Sequence, residues 1–250
     1  LWQELGGTLV GGVREGVAAP EARLLASRES RALADVVRDI NKFSNNVMAR
    51  QVFLTLGNGN GNDSTPATAE RSRQRIGDWL NARGLRFAEL DIENGSGLSR
   101  RERISADSLN RLLLDAWKNP VMPEFVSSLP IVGIDGTMKK RLKESEATGR
   151  AHIKTGTLDG VKTAAGYALD ARGRRYAGTF RITHPRASAG SAAIDALLVW
   201  VAQRRAGELL ARDRRRIAVE PQIGVLVGQG DRAADRDRAG QAHGAEMHAL

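Results

Sequence analysis

Leu33, Val36, Val37 and Ile40 recur at the i, i+3, i+4, i+7 spacing of an amphipathic helix, and the pattern breaks at Asn41 and Ser44-Asn45-Asn46. A second helical run with Val47, Met48, Phe53 and Leu54 ends at Gly57, so Ser44-Asn45-Asn46 falls in a helix–helix junction. Asn58 to Asp63 reads as a flexible Gly/Asn connection. Thr65 is placed to cap a third helix, with Pro66 at its first position, Ala69, Ile76, Trp79 and Leu80 as its core stripe, and Gly84 as its stop. Ser105 caps a fourth, which carries Leu109, Leu112, Leu113 and Trp117 and ends at Pro120 and Pro123. A short basic helical piece spans Met138 to Lys143.

The period then changes from helical to alternating. Ala151–Gly160, Thr163–Leu169 and Arg174–Thr183 read as three strands, with turns at Asp159-Gly160 and Asp170–Gly173. Together they form an antiparallel meander, closed by a helix over Ser188–Gln203 that presents Ile194, Leu197, Leu198 and Val201. Helices, three strands and a terminal helix give an α+β fold, with helices packed on an antiparallel sheet. Residues 1–27, broken by glycine pairs, read as short strands and turns. Residues 204–250 are dominated by Arg, Asp, Ala and Gly around one apolar run, Ile223–Val227, and are expected to be a disordered or non-native tail.

Composition narrows the function. The net charge of +9 would attract acidic polymers, but the basic residues are scattered and aromatics make up 4% of the chain. Platforms for stacking bases are lacking, so no nucleic-acid partner is expected. No apolar run reaches the length of a membrane span. Without cysteine there are no disulfides or thiolate metal sites. His152 and His184 lack neighbours at ligand spacing, so neither a metal nor a cofactor is expected.

The chemistry concentrates in two places. On the first strand Lys154 and Gly156 share one side, a cation beside a position with no side chain, where a substrate backbone can lie along the strand. Lys154-Thr155-Gly156 follows Ser44-Asn45-Asn46 by about 110 residues, the order in which penicillin-binding proteins carry their second and third motifs. Either motif alone has an ordinary explanation: Ser44 as the cap of the second helix, Lys154 as a solvated charge. Longer stretches narrow the family. They are Asn41 to Arg50, Asn94-Gly95-Ser96-Gly97-Leu98-Ser99-Arg100, Asp135-Gly136-Thr137-Met138 and Gly149 to Leu158. From about residue 6 to about residue 203 the chain closely resembles the low-molecular-mass D-alanyl-D-alanine carboxypeptidase/endopeptidase family of penicillin-binding proteins (class C).

The resemblance implies a partial serine β-lactamase/DD-peptidase-like fold and a periplasmic hydrolase. Its partners would be peptidoglycan peptides ending in D-Ala-D-Ala, and β-lactam antibiotics. It implies that Ser44 relays a proton between the catalytic lysine and the leaving amine, that Asn46 holds the substrate amide and orients that lysine, and that Lys154 supplies positive potential near Ser44 and the substrate's terminal carboxylate. Thr155 and Thr157 would bind the substrate carboxylate, the Thr157 N–H would donate to the oxyanion, and Gly156 would keep the strand edge clear. One departure stands against it. The family's Ser-x-x-Lys motif, source of the nucleophile, is absent, because no serine here has a lysine three residues on. With its start at Leu1 the chain is expected to be a C-terminal fragment, inactive alone, lacking the N-terminal strands and nucleophile helix. Residues 1–27 would end an inserted domain and 28–203 would belong to the penicillin-binding domain. The alternative is a degenerate, non-catalytic product that at most binds peptidoglycan peptides; a β-lactamase, sharing the core motifs, is a weaker third reading.

Overall fold

A computed structural model describes residues 2–12, 15–17, 19–59, 66–204, 223–227 and 246–249. They fall into two units, Leu1–Arg31 and Ala32–Leu250. In the first, a turn over residues 2–6 is held by Gly6 N–H donating to Gln3 O at 3.0 Å and by Trp2 Nε1 donating to Thr8 O at 3.1 Å. The short strands expected there are not found among the described residues.

The second unit holds the helices α1 (Leu33–Phe43), α2 (Asn46–Leu56), α3 (Ala69–Ala82), α4 (Ala106–Trp117), α5 (Met122–Ser128) and α6 (Ser191–Gln203). Its sheet is built on β1 (Ala151–Leu158), β2 (Val161–Leu169) and β3 (Arg175–Thr183). The three pair antiparallel in that order, with Leu158 opposite Val161 across the two-residue turn and Leu169 opposite Arg175 across the second. Asp170, fully buried, holds that second turn: it accepts from Arg172 N and Arg174 N, both at 2.9 Å, and pairs with Arg174 Nε at 2.6 Å. Two short segments of the expected tail, β4 (Ile223–Val227) and β5 (Glu246–Ala249), extend the sheet beyond β3. The rest of that expectation, residues 205–222, 228–245 and 250, lies outside the described residues.

Strand alternation sorts the sheet's side chains between two cores. On one face Ile153, Ala164, Ala168 and Tyr176 pack against Ile194, Leu198 and Val201 of α6. On the other, Tyr167 and Ala177 pack against Leu113 of α4 and Leu129, and Tyr167 Oη donates to Leu113 O at 2.6 Å. A third cluster, Leu80, Leu85 and Phe87, holds α3 to its own connection.

Several details differ from the sequence expectations. Thr68 caps α3, its hydroxyl accepting from Arg71 N at 3.3 Å, and Thr65, the expected cap, lies outside the described residues. Pro123 does not stop α4. It stands in the first turn of α5, where the missing N–H is no loss. Trp79 is 46% exposed, its indole covered by the Arg83 guanidinium at 5.0 Å rather than by core. Met138 closes a single 3-10 turn, Gly136–Met138, and no helix follows to Lys143.

Candidate active site

The helix junction comes first. Ser44 closes α1 in the left-handed conformation (φ 53°, ψ 49°), its N–H donating to Ile40 O. Three potential capping residues stand in a row here. Asn45 takes the role, its side-chain oxygen accepting from Met48 N at 3.0 Å. The Ser44 hydroxyl is thereby released from helix capping. The end of α1 is also pinned from below. Lys42, 8% exposed, donates to Leu129 O at 2.6 Å and to Asp135 Oδ2 at 2.7 Å. The loop presses close: a Cβ on Gly136, which has φ +53°, would lie 2.6 Å from Lys42 O.

The sheet supplies the facing wall. Lys154, opposite Ala165 on β1, donates from Nζ to Ser44 Oγ at 2.5 Å and to Thr155 O at 2.8 Å. Burial of the ammonium lowers its pKa below that of an ordinary lysine. Gly156 stands opposite Thr163, and a Cβ there would lie 2.3 Å from Thr163 Oγ1. Part of the space left by this glycine is therefore taken by the next strand. Thr155 and Thr157 project from the other face of β1. The Thr155 hydroxyl shares a 3.0 Å hydrogen bond with that of Thr137, and Thr157 Oγ1 accepts from Lys162 Nζ at 2.9 Å.

Asn46 reaches across to a third element. Its Nδ2 donates to Ser96 O at 2.6 Å, in a turn whose Gly95 and Gly97 are both left-handed (φ +68° and +78°). Glu102 Oε1 accepts from Gly95 N at 3.1 Å and Asn94 Oδ1 from Ser96 N at 2.9 Å. Arg73 of α3 donates to the carbonyls of Ile92 and Glu93, both at 3.1 Å. The turn is thus braced by charged groups on both of its flanks.

A cleft of about 900 Å³ runs between these elements, lined among others by Ser44, Asn46, Ser96, Thr137, Lys154 and Thr157. All six residues singled out in the sequence line it: Ser44, Asn46, Lys154, Thr155, Gly156 and Thr157. Among the described residues no group of three or more His, Asp or Glu is placed to hold a metal. His152 is turned away to the Val126 carbonyl at 3.0 Å, with its pKa lowered by burial. Three contributors had no role assigned from the sequence: Thr137, the Ser96 carbonyl and Lys162. For Lys162 a signal was available, since a two-residue hairpin turn at Asp159-Gly160 dictates that residue 162 faces Thr157.

The chain is similar to several known proteins. Over 152 residues the chain is 30% identical to a D-alanyl-D-alanine carboxypeptidase of an Actinomadura species, covering 59% of this chain and 28% of that one. Over 159 residues it is 29% identical to a D-alanyl-D-alanine carboxypeptidase of Haemophilus influenzae, covering 63% and 33%. The structure of penicillin binding protein 4 from Haemophilus influenzae, solved with a β-lactam, superposes with a TM-score of 0.61 at 28% identity, covering 70% of this chain and 40% of that one. The chain thus spans between about a quarter and two fifths of the length of these relatives. Residues 1–204 match the family described as D-Ala-D-Ala carboxypeptidase 3 (S13). With that match, the relatives and a fold that brings the motif residues around one cleft, the chain belongs to the D-Ala-D-Ala carboxypeptidase 3 (S13) family.

Proposed function

We propose that these residues form the binding wall and proton-relay side of a serine-type D-Ala-D-Ala carboxypeptidase/endopeptidase acting on peptidoglycan peptides outside the cytoplasm, in the periplasm. The observation that carries this reading is the 2.5 Å hydrogen bond from Lys154 Nζ to Ser44 Oγ, which joins two motifs 110 residues apart. The attacking serine is not among these 250 residues, none of whose serines has a lysine three positions on. It is supplied by a part of the protein that these residues do not include.

In the proposed reaction that serine's oxygen bonds to the carbonyl carbon between two D-alanines. The carbon–nitrogen bond breaks and the acyl group stays on the serine. The leaving nitrogen needs a proton, and Ser44 is placed to relay it. The Ser44 oxygen already accepts from Lys154, so its own proton is free to pass on while a second lone pair receives the next. Asn46, its NH₂ committed to Ser96 O, presents its side-chain oxygen to the substrate's amide N–H. The N–H of Thr157 donates to the oxyanion and the hydroxyls of Thr155 and Thr157 to the terminal carboxylate. Water then cleaves the acyl ester and frees the serine. A β-lactam, whose ring amide replaces the peptide bond, would acylate the same serine; the Haemophilus relative solved with one supports this.

The missing nucleophile also favours a second reading, in which the chain is non-catalytic and at most binds peptidoglycan peptides. Fluorescent penicillin separates the two. Protein expressed from the complete reading frame is expected to be labelled covalently, and labelling to be lost in Lys154→Ala, while the 250-residue chain is not labelled. Absence of labelling in the folded full-length product ends the enzyme reading.

A further inference from the structure

The cleft holds a cation that the proposed chemistry does not use. Lys162 is the second residue of β2, and the turn at Asp159-Gly160 fixes it opposite Thr157. Its side chain is half-buried, with Nζ donating to Thr157 Oγ1 at 2.9 Å. A surface lysine serving only solubility would extend into water. This one is folded back onto a hydroxyl inside the cleft.

That contact orders the hydroxyl. An alcohol oxygen has two lone pairs and one proton, so an oxygen accepting from an ammonium keeps its proton to donate elsewhere. Thr157 is exposed, so this proton is available for donation outward from the protein. Beside it on the same face the Thr155 hydroxyl is paired with that of Thr137. The charges point the same way. Among the described residues neither Lys154 nor Lys162 forms an ion pair with a carboxylate. Among the described residues Asp195 is the one carboxylate lining the cleft, and Arg141 holds it through Nε at 3.1 Å and Nη2 at 2.6 Å. With Asp195 held by Arg141, the Lys154 and Lys162 ammoniums are left without an opposing carboxylate in the cleft.

We infer that Lys162 is a specificity-determining residue, selecting substrates that end in a free carboxylate over those whose terminus is uncharged. It does so by placing a second ammonium beside the Thr157 hydroxyl. The inference rests on the proposed role of this cleft and adds a residue to it. Lys154 acts on the reacting centre through Ser44 and adds potential near the carboxylate, and Lys162 acts on that carboxylate through Thr157.

The test uses protein expressed from the complete reading frame, as wild type, Lys162→Met and Lys162→Arg. Each is assayed on an N-acylated peptide ending in D-Ala-D-Ala and on the C-terminal amide of the same peptide. The ratio of kcat/KM for carboxylate over amide is expected to fall about threefold to fivefold in Lys162→Met, the scale of one partly solvated charge pair. The fall is expected in KM, and the ratio's dependence on ionic strength is expected to flatten. Lys162→Arg retains the wild-type ratio. Should Lys162→Met not take up fluorescent penicillin, Lys162→Gln replaces it. Wild type that is not labelled overturns the reading of the cleft and the inference with it. Labelled wild type, with a ratio unchanged in the uncharged variant or lowered equally by Lys162→Arg, overturns the inference alone.

Discussion

The Gly156–Thr163 pair allows one glycine's two duties to be separated. A Cβ at position 156 would approach Thr163 Oγ1 to 2.3 Å and Thr163 Cβ to 3.7 Å. Against a van der Waals separation of about 3.5 Å, the first contact overlaps by about 1 Å and the second is ordinary. Threonine is stiff at χ1, so the oxygen does not swing away freely. Overpacking on this scale costs about 1–3 kcal/mol. The backbone itself does not require glycine here, and Gly→Ala at such a site returns about 0.4–1 kcal/mol by stiffening the unfolded chain. Gly156→Ala is therefore expected to lose about 1–2 kcal/mol. In a Thr163→Ala background, where the clashing oxygen is gone, the same change is expected to be neutral or slightly stabilising. Urea unfolding of the four proteins of the cycle gives the coupling directly. Coupling below about 0.5 kcal/mol would refute the packing assignment. Penicillin labelling of the full-length double variant then isolates the other duty. If stability returns and labelling does not, the remaining requirement for glycine is clearance for the substrate.

Two further predictions concern the lysines that flank the junction. Lys42→Met strands the buried Leu129 carbonyl and removes the partner of Asp135, whose side chain is 37% exposed. A loss of about 2 kcal/mol is expected, below the 3–5 of a fully buried pair because solvent reaches the carboxylate. Slower labelling should accompany it because Ser44 lies two residues on, and an unchanged urea midpoint would count against the assignment. For Lys154 the sign follows from burial, which lowers the folded-state pKa below the ordinary 10.5. Between the folded and unfolded values the unfolded chain binds more protons, so this residue's contribution to stability is unfavourable at neutral pH and improves as pH rises toward 10.5. Lys154→Met is expected to melt no lower than wild type at pH 7 while losing penicillin labelling, with the difference in stability narrowing as pH climbs. A variant that melts well below wild type at pH 7 would contradict this.

The sheet was readable from sequence because two turn signals and three alternating runs agree on one register, which also fixes that Lys162 stands opposite Thr157. What resisted reading was competition between residues of equal aptitude. Ser44, Asn45 and Asn46 are all good capping residues, and only the path of the chain decides that Asn45 caps and Ser44 meets Lys154. Thr65 and Thr68 compete in the same way on either side of Pro66. α5 was missed because Pro123, read as a breaker, is harmless in a first turn. Trp79 lies on an apolar stripe wider than the surface that covers it, and periodicity cannot report how far a neighbouring element extends. Within the site, the side chains were legible and the Ser96 carbonyl was not, because any residue can offer a backbone acceptor.

The left-handed backbone at Ser44 restricts which amino acids could replace it. A hydroxyl in this place could in principle come from threonine as well as serine. At φ 53° a β-branched side chain crowds the backbone, so threonine is excluded by shape although its chemistry would serve. Asparagine, aspartate and glycine fit the conformation but cannot pass a proton in the same way. Serine alone among the coded residues combines an aliphatic hydroxyl with an unbranched Cβ, even though the left-handed backbone costs it about 1 kcal/mol or more. Variation at this position is thereby limited by backbone geometry before any question of catalysis arises.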